Sequence, residues 1–297
     1  MMKKKVLVVV GPTAVGKSAL AVRLAHEFKG EIISGDSQQI YRGLNIGTAK
    51  VTSDEMGGIS HHLINIRDLN ENFSAHDFVL SAMTAIEDII SREKLPIIVG
   101  GTGLYIQALT EGYHLGGEKN HESMMKLRQR LKFYSDNELK LALNPENQIQ
   151  QFNRRRAIRA IELQEFGKGE NYEVPYDFGY IGLESERAIL YDRINKRVDR
   201  MLEVGILDEA KKLFEGYQQV QASKAIGYKE FFPYFKGEIS LEEAVEKLKQ
   251  DSRRYAKRQL TWFKNRMDVK FFDVFELDFL ENVIMCISEF LRNREDD

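Results

Sequence analysis

The residues best suited to chemistry form one segment, Gly11-Pro12-Thr13-Ala14-Val15-Gly16-Lys17-Ser18. It matches the pattern G-x-x-x-x-G-K-[ST], in which the glycines allow successive backbone N–H groups to turn towards a phosphate. Lys17 supplies a cation for the terminal phosphates, and the Ser18 hydroxyl is a candidate ligand of a magnesium ion. We therefore predict a phosphate-binding loop here. The pattern leaves open whether the bound phosphates belong to a nucleotide.

Two further polar groups follow predicted strands. Asp36 lies in the sequence SGDSQQ, and Thr102 lies in GGTG. Nucleotide-hydrolysing proteins usually hold magnesium through an acid after a later strand, but no acid directly follows the apolar run 97–99. We therefore favour a diphosphate leaving group and a nucleophile that Asp36 deprotonates or orients. The alternatives are that Asp36 caps a turn and that Thr102 is only a turn residue.

The elements that must position these groups alternate between strand and helix. Residues 5–10 are rich in β-branched side chains, which is typical of a strand buried on both faces. With the basic start before it, this run resembles a short secretory signal, but it is too short for one. Further predicted elements are a helix over about 17–29, a strand over 31–34, a helix over 77–92 and a strand over 97–99. This alternation predicts an α/β fold with a P-loop NTPase-like parallel sheet.

The character of the sequence changes after residue 112. Residues 122–166 favour helices, and a strand is predicted over 178–183. The remaining predictions are a helix over 186–214, a long amphipathic helix over 241–263, a strand over 271–274 and a final helix over 279–291. We therefore predict a discontinuous α/β core formed by residues 1–110 and 185–297, interrupted by a helical insertion domain at 111–184.

Composition excludes several classes of protein. The chain has 297 residues, 43% of them hydrophobic, which is enough for a substantial core. A single cysteine, Cys286, rules out a disulfide framework and a cysteine-based zinc site, and suits a reducing cytosol. Adjacent His61 and His62 on a strand would point to opposite faces, so we interpret both as structural. No apolar run approaches the length of a membrane span, and we expect no membrane association.

Basic residues cluster locally although the formal net charge is -2. One cluster is Arg154, Arg155, Arg156 and Arg159, and the segment 252–266 contains several Lys and Arg and no acidic residue. A third group, Arg193, Arg197 and Arg200, has the spacing of one helix face. Such stripes suit contact with nucleic-acid phosphates, whereas the more common explanation of a basic helix face is plain solvated surface.

Together these motifs resemble one family, the tRNA dimethylallyltransferases, also called tRNA isopentenyltransferases. Matching stretches occur in family order over nearly the whole chain, and those at 34–50 and 255–263 are the most specific. The stretches are 11–18, 34–50, 61–64, 99–106, 156–162, 192–201, 225–230 and 255–263. The resemblance implies a phosphate-loop α/β core with a helical insertion. It also implies magnesium-dependent transfer of a dimethylallyl group to N6 of the adenosine 3′-adjacent to the anticodon in tRNAs.

The resemblance also implies a role for each matching residue. Gly11–Ser18 would hold dimethylallyl diphosphate in place of ATP, with Ser18 on Mg²⁺. Asp36 would be the general base, and Thr102, Lys17, Arg193 and Arg197 would act on the leaving group. The residues expected at the tRNA, which would bind through its anticodon stem-loop, are Asp36, Ser37, Gln38, Gln39, Arg155, Arg156, Arg159, Lys224, Gly227, Tyr228, Lys229, Lys257, Arg258, Gln259 and Lys264. We expect a cytoplasmic protein that acts as a monomer.

Three other hypotheses remain open on the sequence alone. A small-molecule kinase would use the same loop, but it needs a second magnesium-binding carboxylate that we cannot place. An adenylate isopentenyltransferase would share the Asp36 and Thr102 chemistry without needing a basic stripe at 253–266. A non-catalytic RNA-binding module would have no use for an intact phosphate loop.

Overall fold

The computed structural model describes residues 3–115, 121–144, 152–167 and 171–293. The chain divides into two compact units, one formed by Met1–Thr110 and Pro175–Asp297 and the other by Glu111–Val174. The first boundary agrees with the predicted one. The second boundary falls earlier than the predicted 184, because residues 176–184 form a strand whose residues 176–182 pair with the first strand of the core.

A six-stranded parallel sheet organises the first unit. Its strands are β1 (Lys4–Val10), β2 (Gly30–Ser34), β3 (His61–His62), β4 (Leu95–Gly100), β5 (Tyr176–Glu184) and β6 (Lys270–Asp273), in the order β3-β2-β4-β1-β5-β6. Val6 to Val10 in β1 are completely or almost completely buried, as a central strand covered on both faces requires. The predicted α/β fold with a P-loop NTPase-like parallel sheet is confirmed.

Helices cover the sheet and supply the walls of the site. They are α1 (Lys17–Glu27), α2 (Ala75–Ser91), α3 (Gly103–Thr110), α7 (Arg187–Glu203), α8 (Ile206–Gly216), α9 (Phe232–Phe235), α10 (Leu241–Arg266) and α11 (Phe279–Arg292). Capping boxes begin two of them, with Ser74 and Asp77 at α2 and Ser240 and Glu243 at α10. None of the helices in the described part of the chain is long and apolar enough to cross a bilayer.

One predicted helix proved to be two. The sequence predicts a continuous helix over 186–214, but α7 ends at Glu203 and α8 begins at Ile206. Gly205 between them has a φ of 97°, in the left-handed region that glycine adopts without strain. Helix α8 therefore starts anew at Ile206, and its first turn carries the buried Glu209.

The second unit is helical, with α4 (His121–Lys132), α5 (Asp136–Ala142) and α6 (Arg154–Phe166). Its small core consists of Leu127, Leu131, Leu139, Ala157 and Ile161. Positions 145–151 of the range predicted to be helical lie outside the described residues.

Candidate active site

The predicted phosphate loop connects β1 to α1. Gly11 and Gly16 have φ values of 149° and 110°, and Ala14 also has a positive φ, of 66°. A Cβ atom at Gly11 would lie 2.6 Å from the carbonyl oxygen of Leu183 in β5, so only glycine fits there. The Lys17 ammonium donates to the Pro12 carbonyl oxygen at 2.7 Å, which holds the lysine within the loop. The sequence interpretation of these residues as a phosphate loop therefore agrees with their backbone geometry.

Asp36 and Thr102 follow β2 and β4, which are neighbours in the sheet. A Cβ atom at Gly100 would lie 2.4 Å from the Gly35 carbonyl oxygen, so the two loops touch through their backbones. The Ser37 N–H donates to the Thr102 hydroxyl oxygen at 3.1 Å. The structure thus brings together the acid and the hydroxyl that the sequence singled out.

The turn-cap interpretation of Asp36 is also correct. Its Oδ1 atom accepts hydrogen bonds from the backbone N–H groups of Gln38 at 2.8 Å and Gln39 at 3.4 Å. These bonds fix the rotamer of the carboxylate. The same side chain borders two cavities, so capping the turn and acting on a ligand are compatible roles.

Helix α7 brings two of the three predicted arginines to the loop. Arg197 donates to the Thr13 hydroxyl at 3.0 Å. Arg193 borders the cavity above the loop, and its guanidinium lies over the ring of Phe275 at 5.7 Å from the centroid. Arg200 is instead exposed and pairs with Glu203 at 3.9 Å. Only Arg193 and Arg197 are therefore placed to act on a bound phosphate.

Burial shapes the electrostatics of the loop. It lowers the pKa of Lys17 to about 8, with nearby Asp36 opposing the shift and Arg197 adding to it. Burial also lowers the pKa of Arg197, and Asp36 again opposes the shift. Two poorly hydrated cations next to a nest of backbone N–H groups form a strong site for an anion.

Helix α10 contributes two residues to the site, Tyr255 and Gln259, and Gln259 contacts the phosphate loop. The side-chain amide of Gln259 accepts from the Thr13 N–H at 2.9 Å and donates to the Gly101 carbonyl oxygen at 3.0 Å. Tyr255 of the same helix borders both cavities of the site. Burial raises the pKa of its phenol and Asp36 adds to the shift, while hydrogen bonds with Thr102 and Gln259 oppose it. The i, i+4 spacing of Tyr255 and Gln259 was the available signal for their shared face.

Two cavities meet at Asp36. The phosphate cavity, of about 650 Å³, is bordered by Gly16, Lys17, Ser18 and Arg193. The acceptor-side cavity, of about 330 Å³, is bordered by Ser37, Gln38, Met201 and the segment 224–227. Residues that border both are Thr13, Ala14, Asp36, Thr48, Arg197 and Tyr255. Thr48 is a site residue that the sequence analysis missed, although it lies within the stretch 34–50.

The residues predicted to touch tRNA in the first unit separate into two groups. Lys224, Lys229 and Arg258 are exposed and border the acceptor-side cavity, and Lys257 is exposed on α10. Lys264 is also exposed but pairs with Glu184. Tyr228 and Gln259 are buried and Gly227 contributes only backbone. We therefore assign Tyr228 and Gln259 to support of the site, in place of the predicted contact with RNA.

In the second unit, Arg155 and Arg156 are exposed on α6. Arg159 differs from them, because its guanidinium pairs with the buried Glu162 at 3.2 Å and donates to the Leu115 carbonyl oxygen at 3.0 Å. Arg128 pairs with the same carboxylate at 2.5 Å. Since a buried carboxylate needs such partners, Arg159 has a structural role that the sequence did not show.

The residues near Ser18 fit a magnesium site in which the protein supplies few of the ligands. Among the described residues, no cluster of three or more His, Cys, Asp or Glu side chains could hold a metal. Mg²⁺ often uses few protein ligands and completes its shell with phosphate oxygens and water. The Ser18 hydroxyl, at the edge of the phosphate cavity, fits that kind of site. The two histidines are engaged elsewhere, His62 with Glu31 at 2.8 Å and His61 with the Ile59 carbonyl oxygen at 2.9 Å.

The fold and site define a phosphate-loop α/β protein in which the carboxylate of Asp36 borders two neighbouring cavities. Comparison with known proteins narrows this class. The IPP transferase family model matches residues 39–266, and the chain belongs to that family. It is 61% identical to a tRNA dimethylallyltransferase of Lactococcus lactis subsp. lactis, over 98% of this chain and 100% of the relative.

Solved structures of proteins with the same kind of name are also similar to this chain. The chain is similar to the crystal structure of the tRNA isopentenylpyrophosphate transferase of Bacillus halodurans, with a TM-score of 0.75 and 45% identity over 97% of this chain and 96% of that one. It is also similar to a eukaryotic dimethylallyltransferase crystallised acting on tRNA, with a TM-score of 0.83 and 30% identity over 98% of this chain and 80% of that one.

Proposed function

We propose that this protein is a tRNA dimethylallyltransferase. It transfers a dimethylallyl group from dimethylallyl diphosphate to N6 of the adenosine 3′-adjacent to the anticodon in tRNAs and releases diphosphate. Membership of the IPP transferase family and full-length similarity to enzymes of that name support the reaction. We propose a monomer in the cytoplasm as the active form.

One observation carries the assignment of roles. Asp36 borders both cavities, whereas Lys17, Ser18 and Arg193 border only the phosphate cavity. A donor diphosphate in the phosphate cavity and a nucleobase in the acceptor-side cavity would then meet at this carboxylate.

The donor side is built to stabilise negative charge. As the allylic C1–O bond breaks, charge develops on the diphosphate oxygen. Lys17, Arg193, Arg197 and the N–H groups of the loop are the preorganised positive groups available to it. Fixed positive groups of this kind act without reorganising during the reaction, and they supply much of the rate enhancement in comparable sites.

The acceptor side has a different task. The amine of adenine is a weak nucleophile because its lone pair is delocalised into the ring. When N6 forms its bond to the allyl carbon, its proton passes to the Asp36 carboxylate, and the electron pair of the C1–O bond leaves with diphosphate. General-base assistance of this kind contributes about 10²- to 10⁴-fold. The base must first leave its stack, at a cost of a few kcal/mol, before it can enter the cavity.

Magnesium would be held by the Ser18 hydroxyl and by oxygens of the diphosphate. When bound, it would neutralise charge on the leaving group. The chain's own residues, Lys17 and the arginines of α7, border the same cavity and act on the same charge.

The exposed basic residues provide the surface for RNA. Lys224, Lys229 and Arg258 border the acceptor-side cavity, and the exposed Lys257 directly precedes Arg258 on α10. We propose that they contact the phosphates of the anticodon stem-loop, and that Arg155 and Arg156 of the insertion domain contribute further contacts. Phosphate contacts position the RNA, whereas the cavity itself selects the base.

A transfer assay tests this proposal against its rivals. The protein is incubated with dimethylallyl diphosphate labelled in the allyl group, with Mg²⁺, and with either an anticodon stem-loop or AMP as acceptor. We expect label on the stem-loop alone. Label on AMP alone would identify an adenylate isopentenyltransferase, and label on neither acceptor would contradict both kinds of prenyl transfer. ATP consumed in proportion to product would indicate a kinase.

A further inference from the structure

Glu209, in the first turn of α8, is a buried acid that took no part in the predicted site. Its Oε2 atom accepts from the Asn45 N–H at 2.8 Å. Its Oε1 atom accepts from the Ile46 N–H at 2.9 Å and the Gly47 N–H at 3.1 Å. The Tyr228 hydroxyl donates to the same oxygen at 2.6 Å. Four donors from two separate segments thus converge on one carboxylate.

The two segments also touch directly. A Cβ atom at Gly47 would lie 2.6 Å from the Cζ atom of Tyr228, so a side chain there would collide with the ring. A Cβ atom at Gly227, where φ is 114°, would lie 2.9 Å from the Gly47 carbonyl oxygen. Burial and the carboxylate of Glu209 both raise the pKa of Tyr228, so the phenol keeps its proton and remains a donor. We call this arrangement of Asn45–Gly47, Glu209 and Gly227–Tyr228 the Glu209 clamp.

The clamp lies directly behind the acceptor-side cavity. Gly47 and residues 225–227 border that cavity alone, Thr48 borders both cavities, and Glu209 borders neither. From the clamp, hydrogen bonds lead to the general base. The Gln39 side-chain amide donates to the carbonyl oxygens of Thr48 at 3.3 Å and Ala49 at 3.4 Å. The Gln39 N–H donates to Asp36 Oδ1 at 3.4 Å.

We propose that Glu209 is a positioning residue for the transfer reaction, which holds the wall of the acceptor-side cavity and, through Gln39, the carboxylate of Asp36 in register with the nucleobase. This inference rests on the proposed function. The supports of the phosphate loop are separate, since they come from Gln259 and Arg197. Disturbing the clamp should therefore impair reaction of the acceptor while leaving binding of the donor intact.

Glu209→Gln is the sharpest test. Glutamine keeps the shape but turns an N–H₂ group towards donors, so at least one backbone N–H of 45–47 or the Tyr228 hydroxyl loses its acceptor. With the stem-loop as acceptor, we expect kcat to fall about 10- to 100-fold, the loss typical of a reacting group displaced by about 1 Å. The KM for dimethylallyl diphosphate should be unchanged. Asp208→Asn is the matched control, because Asp208 is an exposed acid in the same helical turn and should leave all constants unchanged.

Two further measurements separate positioning from loss of fold. Rates are expressed per donor-binding site, titrated with dimethylallyl diphosphate, so that unfolded protein does not count. Hydrogen exchange at the amides of residues 45–47 should accelerate in Glu209→Gln and not in Asp208→Asn. If Glu209→Gln does not fold, Tyr228→Phe removes one donor and keeps the ring, and it should lower kcat in the same direction by a smaller factor.

The outcomes distinguish the inference from the function on which it rests. Wild-type protein that transfers no label to the stem-loop would contradict the proposed function, and with it the role of Glu209. If the wild type transfers label but Glu209→Gln matches it in kcat and in hydrogen exchange at residues 45–47, only the inference about Glu209 is wrong. An equal loss of donor binding and turnover would also overturn it, because that result indicates a general structural role.

Discussion

At the scale of single residues, Asp36 has two functions that a substitution can separate. Its Oδ1 atom caps the turn at Gln38 and Gln39, and the carboxylate faces both cavities. Asp36→Asn keeps an oxygen that can accept the two N–H bonds but removes the base. We expect turnover to fall by about 10²-fold or more, the contribution of general-base catalysis, while RNA affinity changes little. Single-turnover transfer and a stem-loop binding titration measure the two quantities. Wild-type turnover in this variant would show that Asp36 is only a cap.

The ionisation of Lys17 predicts a pH effect on donor binding. With the pKa lowered to about 8, the ammonium loses its proton as the pH rises through 8, in a range where the phosphates are already fully ionised. Because the diphosphate binds the charged form, affinity should fall on the order of tenfold between pH 7.5 and 9. Calorimetric titration with dimethylallyl diphosphate measures this change.

Lys17→Arg is the control for the pH effect. Arginine remains charged throughout this range, although its fork does not reproduce the position of an ammonium. We expect weaker binding at every pH but no decline from pH 7.5 to 9. The same decline in both proteins would mean that a different group titrates.

At the scale of elements, the sequence predicted those features that depend on residues close together in the chain. The phosphate loop, the positions of Asp36 and Thr102 after strands, and the helices α1 and α10 followed from glycine spacing, strand ends and apolar periodicity. Pairing between distant segments does not leave such a pattern. The sequence therefore did not show that β5 belongs to the core sheet, since its pairing with β1 joins residues far apart in the chain.

The supporting contacts of the site were hidden for the same reason. Gln259 reaches Thr13 across 246 positions, and Glu209 reaches Ile46 across 163. In the sequence, Gln259 is one polar residue on a basic helix, and Glu209 is one acid of an ordinary first turn. Only the folded arrangement shows that both are buried. The break at Gly205 was visible as a glycine, but the apolar periodicity continues on both sides and conceals it.

The buried acid Glu31 lies near the amino-terminal end of β2. Its ion pairs predict that the stability of the fold depends on pH. Bonds from Arg92, together with Lys94 and His62, lower the pKa of Glu31 to about 2 against the opposing effect of burial. A depressed carboxyl pKa stabilises the fold above the unfolded value of about 4.5, and this stabilisation is lost as the pH falls towards 2. Glu31→Gln should therefore reduce the free energy of unfolding by about 2 to 3 kcal/mol at pH 7.

Urea unfolding at several pH values tests this prediction. The difference between Glu31→Gln and the wild type should shrink below pH 4 and disappear near pH 2, or at the lowest pH at which both remain folded. The control is Asp88→Asn, which removes the exposed partner of the same Arg92 and should have little effect. A constant difference at all pH values would mean that the loss comes from packing, with no contribution from the charge of Glu31.

At the scale of the whole molecule, a chain with a formal net charge of -2 must bind RNA through local charge. If Arg155 and Arg156 each neutralise one RNA phosphate, the double variant Arg155→Gln/Arg156→Gln should weaken stem-loop binding. It should also lower the slope of log affinity against log salt by roughly 1 to 2, since each contact releases counterions. Donor affinity should not change, because both residues lie outside the unit that contains the phosphate loop.

Arg200→Gln, which removes an exposed arginine already paired with Glu203, is the control for this double variant and should leave the slope unchanged. Binding titrations at a series of potassium chloride concentrations measure the slope. An unaltered slope in the double variant would show that the insertion domain does not contact RNA phosphates through these arginines.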